Sequence, residues 1–290
     1  MRKNNFLFSL LVCLCVIFTP SCSKDNDDSL TLSAEEKQEL MDVALEFYFM
    51  GNKFMSEGSA ANSGMEPGKA APVNPGTSGL YSRNLISDVQ ENLDIMGCVD
   101  IIRDESEEEK WVSLTLDFGA AGCEGSDGAT RSGKIIVTFN IGADEEIINA
   151  ELEFADYRVN EYTVNGKYIN TLTSISPLSQ TLTGEYTITK DGGASTTMTI
   201  DLQNMEQQNS NLHLSGGYEA KTTKGSKIWN WSAEYTSPLV YSTNCTYPIS
   251  GVLSFFHGSD NVGTLNYGSG SCDANAELTV NAQTRIISLH

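Results

Sequence analysis

Histidine and positive charge are what this chain has least of. Its only histidines are His213, His257 and His290. None stands in an HExxH zinc motif, and the chain also lacks a Gly-x-Ser-x-Gly nucleophile elbow and a phosphate-binding loop. His213, between Leu212 and Leu214, belongs on the solvent face of an alternating strand. His257 precedes Gly258 in a hairpin turn, and His290 is the last residue. Lys and Arg number 18 against 38 Asp and Glu, a net charge of -20 that repels phosphate backbones and excludes a nucleic-acid partner. The apolar run Phe6–Phe18, thirteen residues, is too short for a comfortable membrane span.

That run has another use. Arg2-Lys3, the apolar stretch and Thr19-Pro20-Ser21-Cys22 have the shape of a secretory signal ending in a bacterial lipobox, with Cys22 lipidated at the mature N-terminus. Removing residues 1–21, which carry Arg2 and Lys3 and no acid, takes the net charge from -20 to -22. The segment after Cys22, Ser23-Lys24-Asp25-Asn26-Asp27-Asp28, resembles the acidic signal that places lipoproteins of Bacteroidota on the outer face of the outer membrane. Residues 22–32 read as a tether. They fail as an EF-hand loop, because Leu30 stands where the glycine is required.

Ser33 and Glu36 form a capping box, and Leu40, Val43, Ala44, Phe47 and Phe54 recur at helical spacing. This predicts an amphipathic helix over 33–56 that packs against a sheet. Residues 57–79, rich in Gly, Ala, Ser, Asn and Pro, read as a flexible loop, and 80–96 weakly fits a short helix. From Cys98 the period becomes two: Ile135/Val137/Phe139, Ile148/Ala150/Leu152/Phe154 and Met198/Ile200/Leu202 alternate with polar neighbours. Asn165-Gly166 and Asp191-Gly192-Gly193 are turn signals. The expected fold is mainly β: one domain over 80–290, an antiparallel curled sheet, open barrel or sandwich of about ten strands. With hydrophobic residues at 40%, a substantial core is available.

Cys13 and Cys15 leave with the signal and Cys22 takes lipid, so Cys98, Cys123, Cys245 and Cys272 remain for two disulfides in an exported protein. An internal echo selects the pairing. Thr115-Leu116-Asp117-Phe118-Gly119, three small residues and Cys123 return as Thr264-Leu265-Asn266-Tyr267-Gly268, three small residues and Cys272. Each copy has a cysteine upstream, so Cys98 pairs with Cys123 and Cys245 with Cys272. Each closure is worth roughly 3 kcal/mol. The residues around the first copy (Asp117-Phe118-Gly119, Cys123, Asp127-Gly128, Arg131 to Val137), with Tyr247 to Gly251 and Cys272-Asp273, resemble a signature of uncharacterised exported lipoproteins of Bacteroidota. The resemblance covers about 95–140 and 245–289. It implies a β-rich exported domain and no particular activity.

Candidate chemistry is thin. Glu151 and Glu153 illustrate how easily an acidic chain offers carboxylate pairs for glycoside hydrolysis, which needs two acids across a cleft. Asp117 with the loop Glu124 to Gly128 could be imagined around calcium, but a tight turn with Arg131 pairing to an acid accounts for it better. Trp229, Trp231 and Tyr235 share one strand face: exposed they form a ligand platform for sugar rings, buried they are core. No cofactor or metal is expected. The sequence therefore points to a lipid-anchored, non-enzymatic binding module facing the cell exterior, with an outer-membrane protein or an extracellular glycan as partner. An apolar-ligand carrier with a cupped sheet, and then a polysaccharide hydrolase, are the alternatives.

Overall fold

The computed structural model describes residues 32–63, 99–125, 128–142, 147–175, 178–208, 211–242, 245 and 247–289. The expected signal, the Cys22 anchor, the weak helix over 80–96 and Cys98 lie outside them. Among the described residues, one helix, α1 (Ala34–Ser63), precedes fourteen strands. These are β1 (Asp100–Ser106), β2 (Trp111–Asp117), β3 (Cys123–Glu124), β4 (Thr130–Ile141), β5 (Ile147–Val159), β6 (Tyr162–Ile175) and β7 (Leu178–Lys190). The rest are β8 (Ser195–Gln208), β9 (Asn211–Lys224), β10 (Lys227–Ser242), β11 (Ser250–His257), β12 (Asp260–Ser269), β13 (Asn275–Val280) and β14 (Gln283–Ser288). All belong to a single antiparallel sheet in chain order, except that the short β3 pairs beside β4. The path runs from β1 to β14 and does not close.

The capping box is built as the sequence requires. Ser33 N–H donates to Glu36 Oε2 at 2.9 Å and Glu36 N–H donates to Ser33 Oγ at 3.2 Å. These bonds hold the Glu36 carboxyl below its ordinary range. The helix runs on to Ser63 rather than stopping at Ser56, into the stretch read as loop. Ala60 and Ala61, strong helix formers, lie in that extension. All five residues expected on its apolar face are buried, and so are Met41, Leu45 and Tyr48.

A helix lying on a flat sheet would bury a narrower stripe, and the extra burial has a geometric cause. Glu46 reaches Tyr162 on β6 and Lys190 on β7, whereas Tyr48, two residues on, reaches Tyr218 on β9, Phe255 on β11 and Tyr267 on β12. On a flat sheet β7 and β12 would be about 24 Å apart, twice the helix's own diameter of roughly 10–12 Å. The sheet must therefore curl around α1. Its inner face carries the core, including Val137, Phe139, Leu152, Phe154, Ile188, Met198 and Leu253.

Two turn signals resolve differently. Asp191-Gly192-Gly193 makes the β7–β8 turn. Asn165-Gly166 does not turn the chain; it lies inside β6, and the β5–β6 reversal uses Asn160 (φ 52°) and Glu161 instead. Asn165 Oδ1 accepts the Asp156 N–H at 2.7 Å, beside the bulge in β5 between Phe154 and Tyr157. An Asn-Gly pair can thus serve a bulge as well as a hairpin.

Candidate functional site

The concave face is already occupied. Leu40, Met41, Phe47 and Phe54 of α1 are 0% exposed, and Phe54 packs edge-on against Phe154 and Tyr157. Hydroxyls inside this core stay protonated: burial pushes the Tyr48, Tyr235 and Tyr267 pKa values upward, and Tyr48 Oη lies 2.8 Å from Tyr267 Oη. Around the rim, ion pairs tie the polar side of α1 to the sheet. Glu39 meets Lys224 and Lys227 at 3.5 and 2.5 Å, Asp42 meets Arg285 at 3.3 Å, and Glu46 accepts from Lys190 at 2.8 Å and from Tyr162 at 2.7 Å. A hollow of about 570 Å³ flanks this helix edge, lined by Glu35, Gln38, Glu39, Asp42 and Lys224 among others. Its acids at 39 and 42 are engaged by these cations.

The electrostatics favour latching over acid–base work. A Lys227 hydrogen bond holds Glu39 below the ordinary carboxylate range, Lys134 does the same for Asp117, and Arg158 for Asp191. Glu46 is also lowered: burial pushes it up, but Lys190 and Tyr162 outweigh that. Among the described residues no group of three His, Cys, Asp or Glu side chains is placed to hold a metal ion. Glu151 pairs with Lys167 at 3.0 Å, and Glu153 lies two residues along on the same outer strand face, so the two do not confront each other across a cleft. Asp117 salt-bridges Lys134 at 2.9 Å and caps the Gly119 N–H at 2.9 Å, which uses the oxygens that calcium would need.

The candidate aromatic platform turns inward. Trp229, Trp231 and Tyr235 are 5%, 3% and 8% exposed. Trp231 Nε1–H donates to Thr222 Oγ1 at 2.8 Å, and its ring packs against Tyr218 and Phe255. Of the two readings of these three residues, core holds and the stacking surface does not. Their burial follows from the pull of large apolar rings toward the helix-filled side.

Their outward neighbours build something else. On the convex face, Thr197, Thr199, Glu219, Lys221, Asn230 and Ser232 line a hollow of about 280 Å³, ended by Gly258 in the β11–β12 turn. Period-two alternation in β8, β9 and β10 aims these side chains away from the core. Cross-strand register aligns them in two rows: Thr199–Glu219–Ser232 and Thr197–Lys221–Asn230. His257 Nδ1–H donates to the Asn230 carbonyl at 2.8 Å and pins the β11–β12 hairpin at one end. Sequence reading passed over these residues. Glu219-x-Lys221 and Asn230-x-Ser232 each show the outward alternation, but which pairs meet depends on register.

Of the staples, Cys245–Cys272 is a disulfide of 2.07 Å, as paired from the echo. Cys123 is also disulfide-bonded, and its expected partner Cys98 lies outside the described residues. The echo is structural as well. Gly119 N–H bonds to Asp117 Oδ1 and Gly268 N–H to Asn266 Oδ1, both at 2.9 Å, with both glycines at positive φ. Compared with known protein families and with curated proteins, the chain matches none.

Proposed function

We propose that this protein is a lipid-anchored, non-enzymatic binding module, displayed on the outside of the outer membrane and engaging its ligand with the convex face of the sheet. The address rests on the Arg2 to Cys22 signal and the acidic segment after it. The observation that carries the binding reading is that α1 fills the concave face with fully buried Leu40, Met41, Phe47 and Phe54. A carrier needs that volume for an apolar cargo, and a hydrolase needs two acids facing each other over a cleft. The convex hollow keeps polar side chains accessible.

The test is crosslinking of intact host cells with a membrane-impermeant reagent, followed by affinity capture of the full-length protein. The expected result is palmitate labelling that disappears in Cys22→Ala, reagent reaching the protein from outside, and a macromolecule captured with it. Turnover of a glycan or peptide by the purified protein at an ordinary enzymatic rate overturns the reading. So does native mass spectrometry showing stoichiometric acyl chains in addition to its own anchor.

A further inference from the structure

We propose that the convex hollow on β8, β9 and β10 is a glycan subsite that takes one ring of a polyhydroxylated chain. This inference rests on the binding-module reading and names its ligand class. Glu219, Lys221, Asn230 and Ser232 project into one hollow from two neighbouring strands, and among the described residues their side chains make no hydrogen bond or ion pair. Single unpaired charges occur elsewhere among the described residues, as at Lys37, Lys110 and Glu234, but here four unpaired polar groups converge on one hollow. Lys134, Lys167, Lys190, Lys224, Lys227, Arg158 and Arg285 are each paired to a carboxylate. The two threonines of the hollow are held in place by outside partners: Thr197 Oγ1 bonds with Thr187 Oγ1 at 2.8 Å, and Thr199 Oγ1 donates to Glu185 at 3.2 Å.

The unpaired groups form a matched set for hydroxyls. A carboxylate accepts from two O–H donors, an ammonium donates to ring or hydroxyl oxygens, and an amide and a hydroxyl do both. Register supplies the apolar element. Phe256 lies opposite Ser232, beside the hollow rather than in its lining, and continues the Thr199–Glu219–Ser232 row, half-buried on the convex side. A sugar ring presents a C–H face to such an aromatic and hydroxyls around its edge to the polar groups. The volume of about 280 Å³ falls just under the roughly 300–1,000 Å³ of sites that enclose a whole small ligand, which fits one ring of a longer chain. A phosphate-rich ligand is disfavoured by Glu219 and by the net charge of -20. A protein partner would call for a larger cluster of apolar anchors than Phe256 and the exposed Ile228, which precedes Asn230 on the same face of β10.

The experiment places the full-length lipoprotein, in detergent micelles, on an array printed with neutral, N-acetylated and uronate-containing oligosaccharides, and follows the strongest binder by calorimetry. At least one class should bind, and Glu219→Gln and Asn230→Ala should each weaken it about tenfold, the scale of a lost bond to a charged or amide group. Melting temperatures of these exposed-site variants should stay unchanged, and Glu151→Gln, elsewhere on the outer face, should bind normally. Glycan binding that the two hollow variants leave intact overturns the subsite and keeps the binding module. No glycan binding, with a protein captured on intact cells, does the same. No glycan binding and no captured macromolecule overturns both.

Discussion

Gly166 shows how a single residue can decide a strand. At φ 120° it lies where side chains strain, and a Cβ there would sit 2.5 Å from the Glu185 carbonyl oxygen and 2.6 Å from Tyr186 Cα on β7. Neither atom belongs to a flexible side-chain tip, so the clash has to be relieved by moving backbone. Gly166→Ala should destabilise by about 1–3 kcal/mol, read as a lower urea midpoint. Gly192→Ala, in an open turn with nothing within 4 Å of a Cβ, should cost less. Equal losses at the two positions would show that φ alone, and not the approach of β7, sets the requirement.

At the scale of elements, α1 converts a curled sheet into a solid domain. Phe47 and Phe54 are fully buried, and truncating either to alanine should cost about 3–5 kcal/mol, the usual price of a large aromatic cavity. Equilibrium unfolding should show one transition that shifts as a whole. A separate early phase would mean the helix undocks on its own. The Glu46 latch adds a pH dependence of defined sign. Its folded pKa lies below the unfolded value, so its contribution is present above about pH 4.5 and is lost as pH falls through the folded pKa. Glu46→Gln should therefore lower stability at pH 7, and the difference from the parent should shrink as pH falls through the folded pKa, flattening the acid limb of the stability curve.

At the scale of the whole molecule, the two copies of the echoed motif lie on strands well separated in the sheet order. β2 and β12 are nine places apart in an antiparallel path, so they run in opposite directions. Their Asx-capped ends, Asp117 and Asn266, therefore face opposite rims of the sheet. The Cys245–Cys272 bond closes a separation of 27 residues between the β10–β11 and β12–β13 connections. Replacing both cysteines with alanine should cost about 3.5 kcal/mol by loop-closure entropy. Denaturant midpoints of oxidised and double-variant protein check this, and a loss under 1 kcal/mol would mean the unfolded chain is constrained by other means.

Local rules in the sequence were enough to determine the capping box, the inward face of α1, the alternation of the strands, the antiparallel sheet and the Cys245–Cys272 pairing. Each depends on period or a short hydrogen-bond motif, written within a few tens of residues, or on a repeat whose copies at Thr115 and Thr264 can be compared without any structure. Tertiary structure alone decided what lies across from what. It set how far the sheet curls, which follows from how much of α1 it can bury, and it gave Asn165-Gly166 to a bulge once β7 ran beside it. It also turned Trp229 and Trp231 toward the helix. With those rings inward, alternation left Asn230 and Ser232 outward, and only register across three strands could bring them beside Glu219 and Lys221.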